Sequence, residues 1–230
     1  MADVDERSCV VKQVCVIGLG QFGSHIARRL VKLGCEVLAL DVNEQRVDDL
    51  RDDVHRALIA DARSVQTLKS VLAHSVDEAI ICLGELIEPS ILCTLSLKRL
   101  EVPTIRATAT NDDHAEILRA IGATEVIFPE RETAERTARR MANPDLLDDF
   151  ALSEDYSIMK VVAPATMHNK SLLELSLRKT HDLLVLAVKA PDAEHFSYMP
   201  GADTVIKPGE VVMLLGRSLD LAQFTGMDAD

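Results

Sequence analysis

Val14-Cys15-Val16-Ile17-Gly18-Leu19-Gly20-Gln21-Phe22-Gly23 is the stretch that decides the fold. A short β-branched run leads into glycines spaced G-x-G-x-x-G. A helical pattern follows, with Phe22, Ile26, Leu30 and Leu33 recurring at helical spacing. Leu38-Ala39-Leu40-Asp41 then forms a second strand that closes on an acid eighteen residues after Gly23. This is the mononucleotide end of a Rossmann-type βαβ unit. Gly18 permits the tight turn out of the strand. Gly20 has no side chain, so a phosphate can approach the backbone. Gly23 lets the helix pack closely on the sheet, and the helix's positive end faces the phosphate. Asp41 is placed to accept hydrogen bonds from ribose hydroxyls. Leu19, Gln21 and Phe22 belong to the same turn, and Asn43 is read as the N-cap of the next helix beside it.

Outward from this unit, strand-like runs recur at residues 13–18, 36–40, 56–60, 78–83, 104–107 and 125–128. Helix-like runs lie at 22–33, 43–53, 64–73, 90–100, 114–121 and 131–141. Helices between successive short apolar strands predict a doubly wound parallel sheet, an α/β architecture. Asn143-Pro144 breaks the rhythm. Residues 143–155 are acidic and turn-rich, with Leu146, Leu147 and Phe150 able to form a short helix or a partner contact, and the domain boundary is placed there. Strands at 157–162, 183–188 and 211–215 with helices at 170–177 and 219–224 predict a small α+β domain. The expected organisation is 1–142, a crossover at 143–155, and 156–230.

The 230 residues carry a net charge of −12, which argues against a nucleic-acid partner and a polybasic membrane anchor. Aliphatic residues dominate a 47% hydrophobic composition without Trp, which suits an α/β core. Cys9, Cys15, Cys35, Cys82 and Cys93 form no C-x-x-C pair and read as reduced, mostly buried thiols of a cytosolic protein. No apolar run reaches 18 residues, so no direct membrane insertion is expected.

Further chemistry is sought at strand ends. Asp61, after the third strand, either accepts from an adenine amino group or caps the helix starting near Ser64; Ala62 would pack on the base. Leu83 and Gly84 follow the fourth strand, where Gly84 permits close approach or simply turns the chain. His114 has no Ser or Cys partner in motif context and reads as an early-helix residue. Glu130 either ligates a cation or starts the helix at Arg131. No His/Cys/Asp/Glu spacing suits a metal, and no nucleophile–base set has supporting context.

These residues resemble a family. VCVIGLGQFGSHIARRL, VLALD-x-NE, ADAR, ICLGE and the long run from PTIRATATNDDH to IGATEVIFPE are similar to the nucleotide-binding half of RCK proteins (regulator of potassium conductance). The tail, with NKSLLELSLR and IKPGEVVMLLG, resembles the small C-terminal RCK domain, and the length and layout are similar to those of KtrA/TrkA-type subunits. The resemblance implies a cytoplasmic regulatory subunit, peripheral to the membrane, that forms dimers and an octameric ring and gates a membrane potassium-translocating subunit. It implies ATP, ADP or NAD(H) at Gly18, Gly20, Gly23, Asp41, Asp61, Ala62 and Gly84, a cation at Glu130 across the dimer, and cyclic di-AMP near Leu172, Leu173 and Arg178.

Two positions depart from the family pattern. Gln21 stands where Arg often reaches phosphates, and Thr108 where Lys or Arg is common. Arg106, two residues earlier on the same strand face, is the expected compensating charge. The competing readings are a small NAD-dependent oxidoreductase and a free-standing nucleotide sensor.

Overall fold

The computed structural model describes residues 11–72, 76–153 and 155–226. Cys9, most of the lead-in and residue 73 of the third expected helix lie outside them. The chain divides into two compact units, Met1–Glu130 and Arg131–Asp230.

In the first unit, β1 (Gln13–Ile17), β2 (Glu36–Asp41), β3 (Arg56–Ile59), β4 (Glu78–Ile81), β5 (Thr104–Thr108) and β6 (Glu125–Ile127) form a parallel sheet in the order β3-β2-β1-β4-β5-β6. The order reverses at β1, so the crevice beyond β1 and β4 is the topological switch point. Helices α1 (Gln21–Lys32) and α2 (Glu44–Asp48) cover one face, where Val14, Val16, Ala27, Ala39 and Val47 pack. Helices α3 (Val65–Val71), α4 (Ile87–Arg99) and α5 (Asp112–Ile121) cover the other, through Leu68, Cys93, Leu97 and Leu118 against Ile17, Ile81 and Ile105.

Local chemistry sets the helix ends. Asn43, Ser64 and Asn111 cap α2, α3 and α5 by accepting from the N–H groups of Arg46, Thr67 and His114 at 3.1, 3.3 and 2.8 Å. The capper of α3 is therefore Ser64; Asp61 instead holds Arg63. Helix α2 is shorter than the pattern implied, because residues 47–53 tighten into turns. Helix α4 starts earlier than expected, with Pro89 in its first turn where no amide donor is needed.

Helix α6 (Pro129–Ala142) leads into the second unit and buries no residue. The division after Glu130 falls earlier than the boundary read from the sequence, and Arg139 of α6 pairs with Asp149 at 2.8 Å within the second unit. Leu146, Leu147 and Phe150 do not form a helix. They lie in β7 (Leu146–Ala151), which pairs antiparallel with β8 (Tyr156–Val162) and slips register between Leu146 and Asp148. Leu146 is 3% exposed and anchors this strand in the second core, which a solvent-facing helix would not allow.

The five-stranded sheet is completed by β10 (Leu184–Lys189), β11 (Ser197–Tyr198) and β13 (Val211–Arg217), in the order β11-β10-β13-β8-β7. A ribbon of β9 (Lys170–Ser171) and β12 (Val205–Ile206) lies apart from it in the hydrogen bonding. The helix expected over residues 170–177 is broken into β9, α7 (Leu172–Leu175) and α8 (Leu177–Thr180). Ser171 and Glu174 cap α7 reciprocally, and left-handed Ser176 (φ 48°) ends it. Helix α9 (Ser218–Thr225) buries Leu221 and Ala222 on Val212, Leu214 and Met159.

Candidate functional site

The first βα turn is held by three backbone facts. Gly18 has φ +91°, and a Cβ on it would strike the Cys82 carbonyl. A Cβ on Gly23 would strike the Gly18 carbonyl oxygen, so the start of α1 lies against the turn itself. A Cβ on Gly20 would meet nothing within 4 Å among the described residues, which leaves open space over the N-terminus of α1. Gly20 is the N-cap and provides no side-chain bond, so the first-turn N–H groups of α1 remain without an intrahelical acceptor. Gln21 and Phe22 begin that turn and both are exposed.

The turn is clamped on both sides. Gly18 N–H donates to the Leu40 carbonyl at 2.8 Å, and Cys82 N–H to the Ile17 carbonyl at 2.7 Å. Asp41, 7% exposed, accepts from the Leu19 N–H at 2.7 Å and, with its other oxygen, from the Asn43 N–H at 2.9 Å. Arg46 approaches Asp41 at 3.6 Å, a contact the spacing did not reveal. Val42 and Ile59, exposed aliphatic residues at the carboxyl ends of β2 and β3, flank the acid; Ile59 is in register with it. Their signal was an apolar residue at a strand's last step, Ile59, or just past it, Val42.

Asp61 sits after β3 and binds Arg63 through both oxygens, at 2.7–3.1 Å. The Arg63 hydrogen bonds hold the Asp61 carboxyl below its usual range. Ala62 is buried in the core. Leu83 lies against the Gly18 turn, and Gly84 follows with φ +57° in open space. Thr108 is buried at the end of β5, where its hydroxyl donates to the Ile81 carbonyl at 3.3 Å.

Arg106 does not stand beside the glycine turn as a free charge. Its guanidinium holds Glu78 and Glu125, and Lys12 holds Glu78 from the other side. Glu78 is the first residue of β4, at the opposite end from the turn. Arg106 follows its ion-pair partners rather than Thr108 because two carboxylates stand within reach of a mid-strand guanidinium.

His114 is 2% exposed, and its Nε2 has no hydrogen-bond partner among the described residues. Burial pushes its pKa down, so the ring is a neutral packed residue. Glu130 is exposed at the start of α6. In the second unit Leu173 is 72% exposed, Leu172 packs on the core, and Arg178 is exposed on α8. No group of three or more His, Cys, Asp or Glu suited to a metal occurs among the described residues.

Residues 14–129 match the TrkA-N domain family and residues 157–226 the TrkA-C domain family. Ktr system potassium uptake protein C of Bacillus subtilis (strain 168) is 34% identical over 213 residues, 93% of this chain and 96% of that protein. The chain belongs to the KtrA-type RCK family. A second such relative, Ktr system potassium uptake protein A of the same strain, is 32% identical over 93% of this chain and 95% of its own. Among solved structures, the GsuK channel bound to NAD matches this RCK chain with a TM-score of 0.54 and 23% identity. The match covers 94% of this chain but only 38% of that longer one, and at this identity the likeness is one of fold.

Proposed function

We propose that this RCK protein is a nucleotide-binding regulatory subunit of a potassium uptake system. Its Rossmann unit takes a nucleotide at the first βα turn, with phosphate on the N-terminus of α1 and ribose on Asp41. The observation that carries the reading is the open space over Gly20, next to the Leu19 N–H that the Asp41 carboxylate holds, in a chain that aligns with Ktr proteins along nearly its whole length. Val42 and Ile59 supply apolar surface for a base. Gln21 and Thr108 bring no charge to a terminal phosphate, and Arg106 is committed elsewhere, so ADP or NAD(H) is favoured over ATP.

In this reading the protein has no catalytic turnover. It works at the cytoplasmic side of the membrane as a homodimer that assembles to an octameric ring on a potassium-translocating subunit. Residues 1–142, 143–155 and 156–230 act as nucleotide domain, crossover and tail. Glu130 holds a cation near the nucleotide, and Leu172, Leu173 and Arg178 receive cyclic di-AMP. A ligand gates such an assembly only through different affinities for its conformations.

The test is co-purification with a potassium-translocating membrane subunit, with and without ADP, ATP or NADH. Nucleotide-dependent retention and potassium flux support the reading. Retention of nucleotide with no membrane partner overturns it in favour of a free-standing sensor, and sustained NADH oxidation with carbonyl substrates overturns it in favour of an oxidoreductase.

A further inference from the structure

Away from the glycine turn, a cavity of about 400 Å3 opens between α1 and the strands β1, β4 and β5. Lys12, just before β1, and Glu78, the first residue of β4, place it at the amino ends of the strands, opposite the nucleotide crevice. Its size falls in the range of roughly 300–1,000 Å3 typical of small-molecule sites. The floor is aliphatic: Val14 and Ile80 from the sheet, Ile26 and Leu30 from α1.

The rim is charged in a specific pattern. Glu78 takes both Lys12 and Arg106, and Arg106 also takes Glu125. Burial raises the Glu78 pKa, but the hydrogen bonds from Lys12 and Arg106 outweigh it, so the carboxylate stays ionised. Arg29 is the rim cation left over; no hydrogen bond or ion pair of its side chain occurs among the described residues. Three cations therefore line the cavity against one acid, and the Arg29 guanidinium stands on the rim beside an aliphatic floor with no anion bound to it among the described residues.

We propose that this cavity binds a small amphipathic carboxylate, its headgroup on Arg29 and its aliphatic chain over Val14, Ile26, Leu30 and Ile80. A guanidinium fork matches a carboxylate in two parallel hydrogen bonds, and the aliphatic floor rewards removal of the chain from water. Glu78 disfavours a polyphosphate, and the lining has no aromatic ring for a base. The site is independent of the nucleotide reading.

Cys35 lines the same cavity and is partly exposed. Desolvation pushes the thiols of Cys15, Cys82 and Cys93 up to about 12. In the full chain carrying Cys9→Ser, the rate of Cys35 alkylation by iodoacetamide, located by peptide mass, therefore reports occupancy. Sodium octanoate below its micellar concentration is the probe and 1-octanol its uncharged comparator. Octanoate should slow alkylation saturably, with one site per chain by calorimetry, and octanol should protect less. Arg29→Gln, an exposed position, should keep the fold by circular dichroism and weaken octanoate by roughly tenfold, the effect of losing a charge-assisted bond. An unchanged alkylation rate overturns the proposal. So does equal protection by octanol, or equal octanoate affinity in Arg29→Gln.

Discussion

The Asp41 carboxylate accepts a 2.7 Å hydrogen bond from the Leu19 N–H, which ties the acid at the end of β2 to the middle of the glycine turn. The acid is thus part of the turn's construction before any ligand arrives. Asp41→Ala should lower stability by roughly 1–3 kcal/mol without nucleotide, because the buried Leu19 N–H loses a charged acceptor. Urea unfolding of the nucleotide-free protein measures this. An unchanged midpoint, with only ligand affinity reduced, would show that the bond does not support the fold.

Two glycines of one motif should behave oppositely. Gly23→Ala drives a methyl into the Gly18 carbonyl oxygen and should cost about 1–3 kcal/mol or more, as overpacking does. Gly20→Ala meets open space and should melt within a few degrees of the wild type, yet lose nucleotide because its methyl stands over the α1 N-terminus. Thermal melts with parallel nucleotide calorimetry separate the two; equal losses of stability would contradict the geometry.

Arg106 should matter to the fold and not to phosphate discrimination. Arg106→Ala leaves Glu78 buried with Lys12 alone and should cost roughly 1–3 kcal/mol near neutral pH. The sign of the pH effect follows from the lowered Glu78 pKa. Its stabilisation is complete above the usual carboxylate value of 4.5 and is lost as pH falls through the lower folded value. In Arg106→Ala the folded value moves back toward 4.5, so that acid loss should be smaller and end at higher pH, as read by urea midpoints across the acid range, while the ratio of ATP to ADP affinity stays unchanged. A shifted ratio would return Arg106 to the nucleotide.

His114 gives a second, separate pH window. Its folded pKa is depressed by burial below the ordinary 6.5. The unfolded chain therefore takes up a proton that the folded chain refuses, and stability falls as pH drops below about 6.5 toward the folded value. His114→Gln should flatten this part of the profile. Unfolding at about pH 5.5 and 7.5 tests it; a slope that persists in the variant assigns the effect elsewhere.

The parallel sheet was legible because its signals are local: glycine spacing, β-branched runs and cap residues lie within a few positions of one another. Asp41, Asn43 and the three glycines could be placed for the same reason. Arg106 could not. Whether its guanidinium turns toward Thr108 or Glu78 depends on carboxylates brought over from β4 and β6 by the sheet register, pairs separated by 28 and 19 positions. Leu146–Phe150 failed in a related way, since a short apolar–acidic run has no period of its own and only β8 decides that it is a strand. Residues 170–177 carried helical spacing, but Ser171 and left-handed Ser176 cut it at both ends.

Helix α6 shows no buried residue, so it lacks the apolar stripe that holds most helices in place. What its sequence offers instead is Glu132 before Arg136, the favourable i,i+4 order that contributes about 0.2–0.5 kcal/mol per pair, and Arg139, whose guanidinium holds Asp149 of β7. That support is electrostatic and exposed, and it weakens as dissolved ions shorten the Debye length from about 10 Å at 0.1 M to about 3 Å at 1 M. The helical content of α6 is therefore tied to ionic strength, so the surrounding salt level itself bears on how firmly the segment leading out of the first unit is wound.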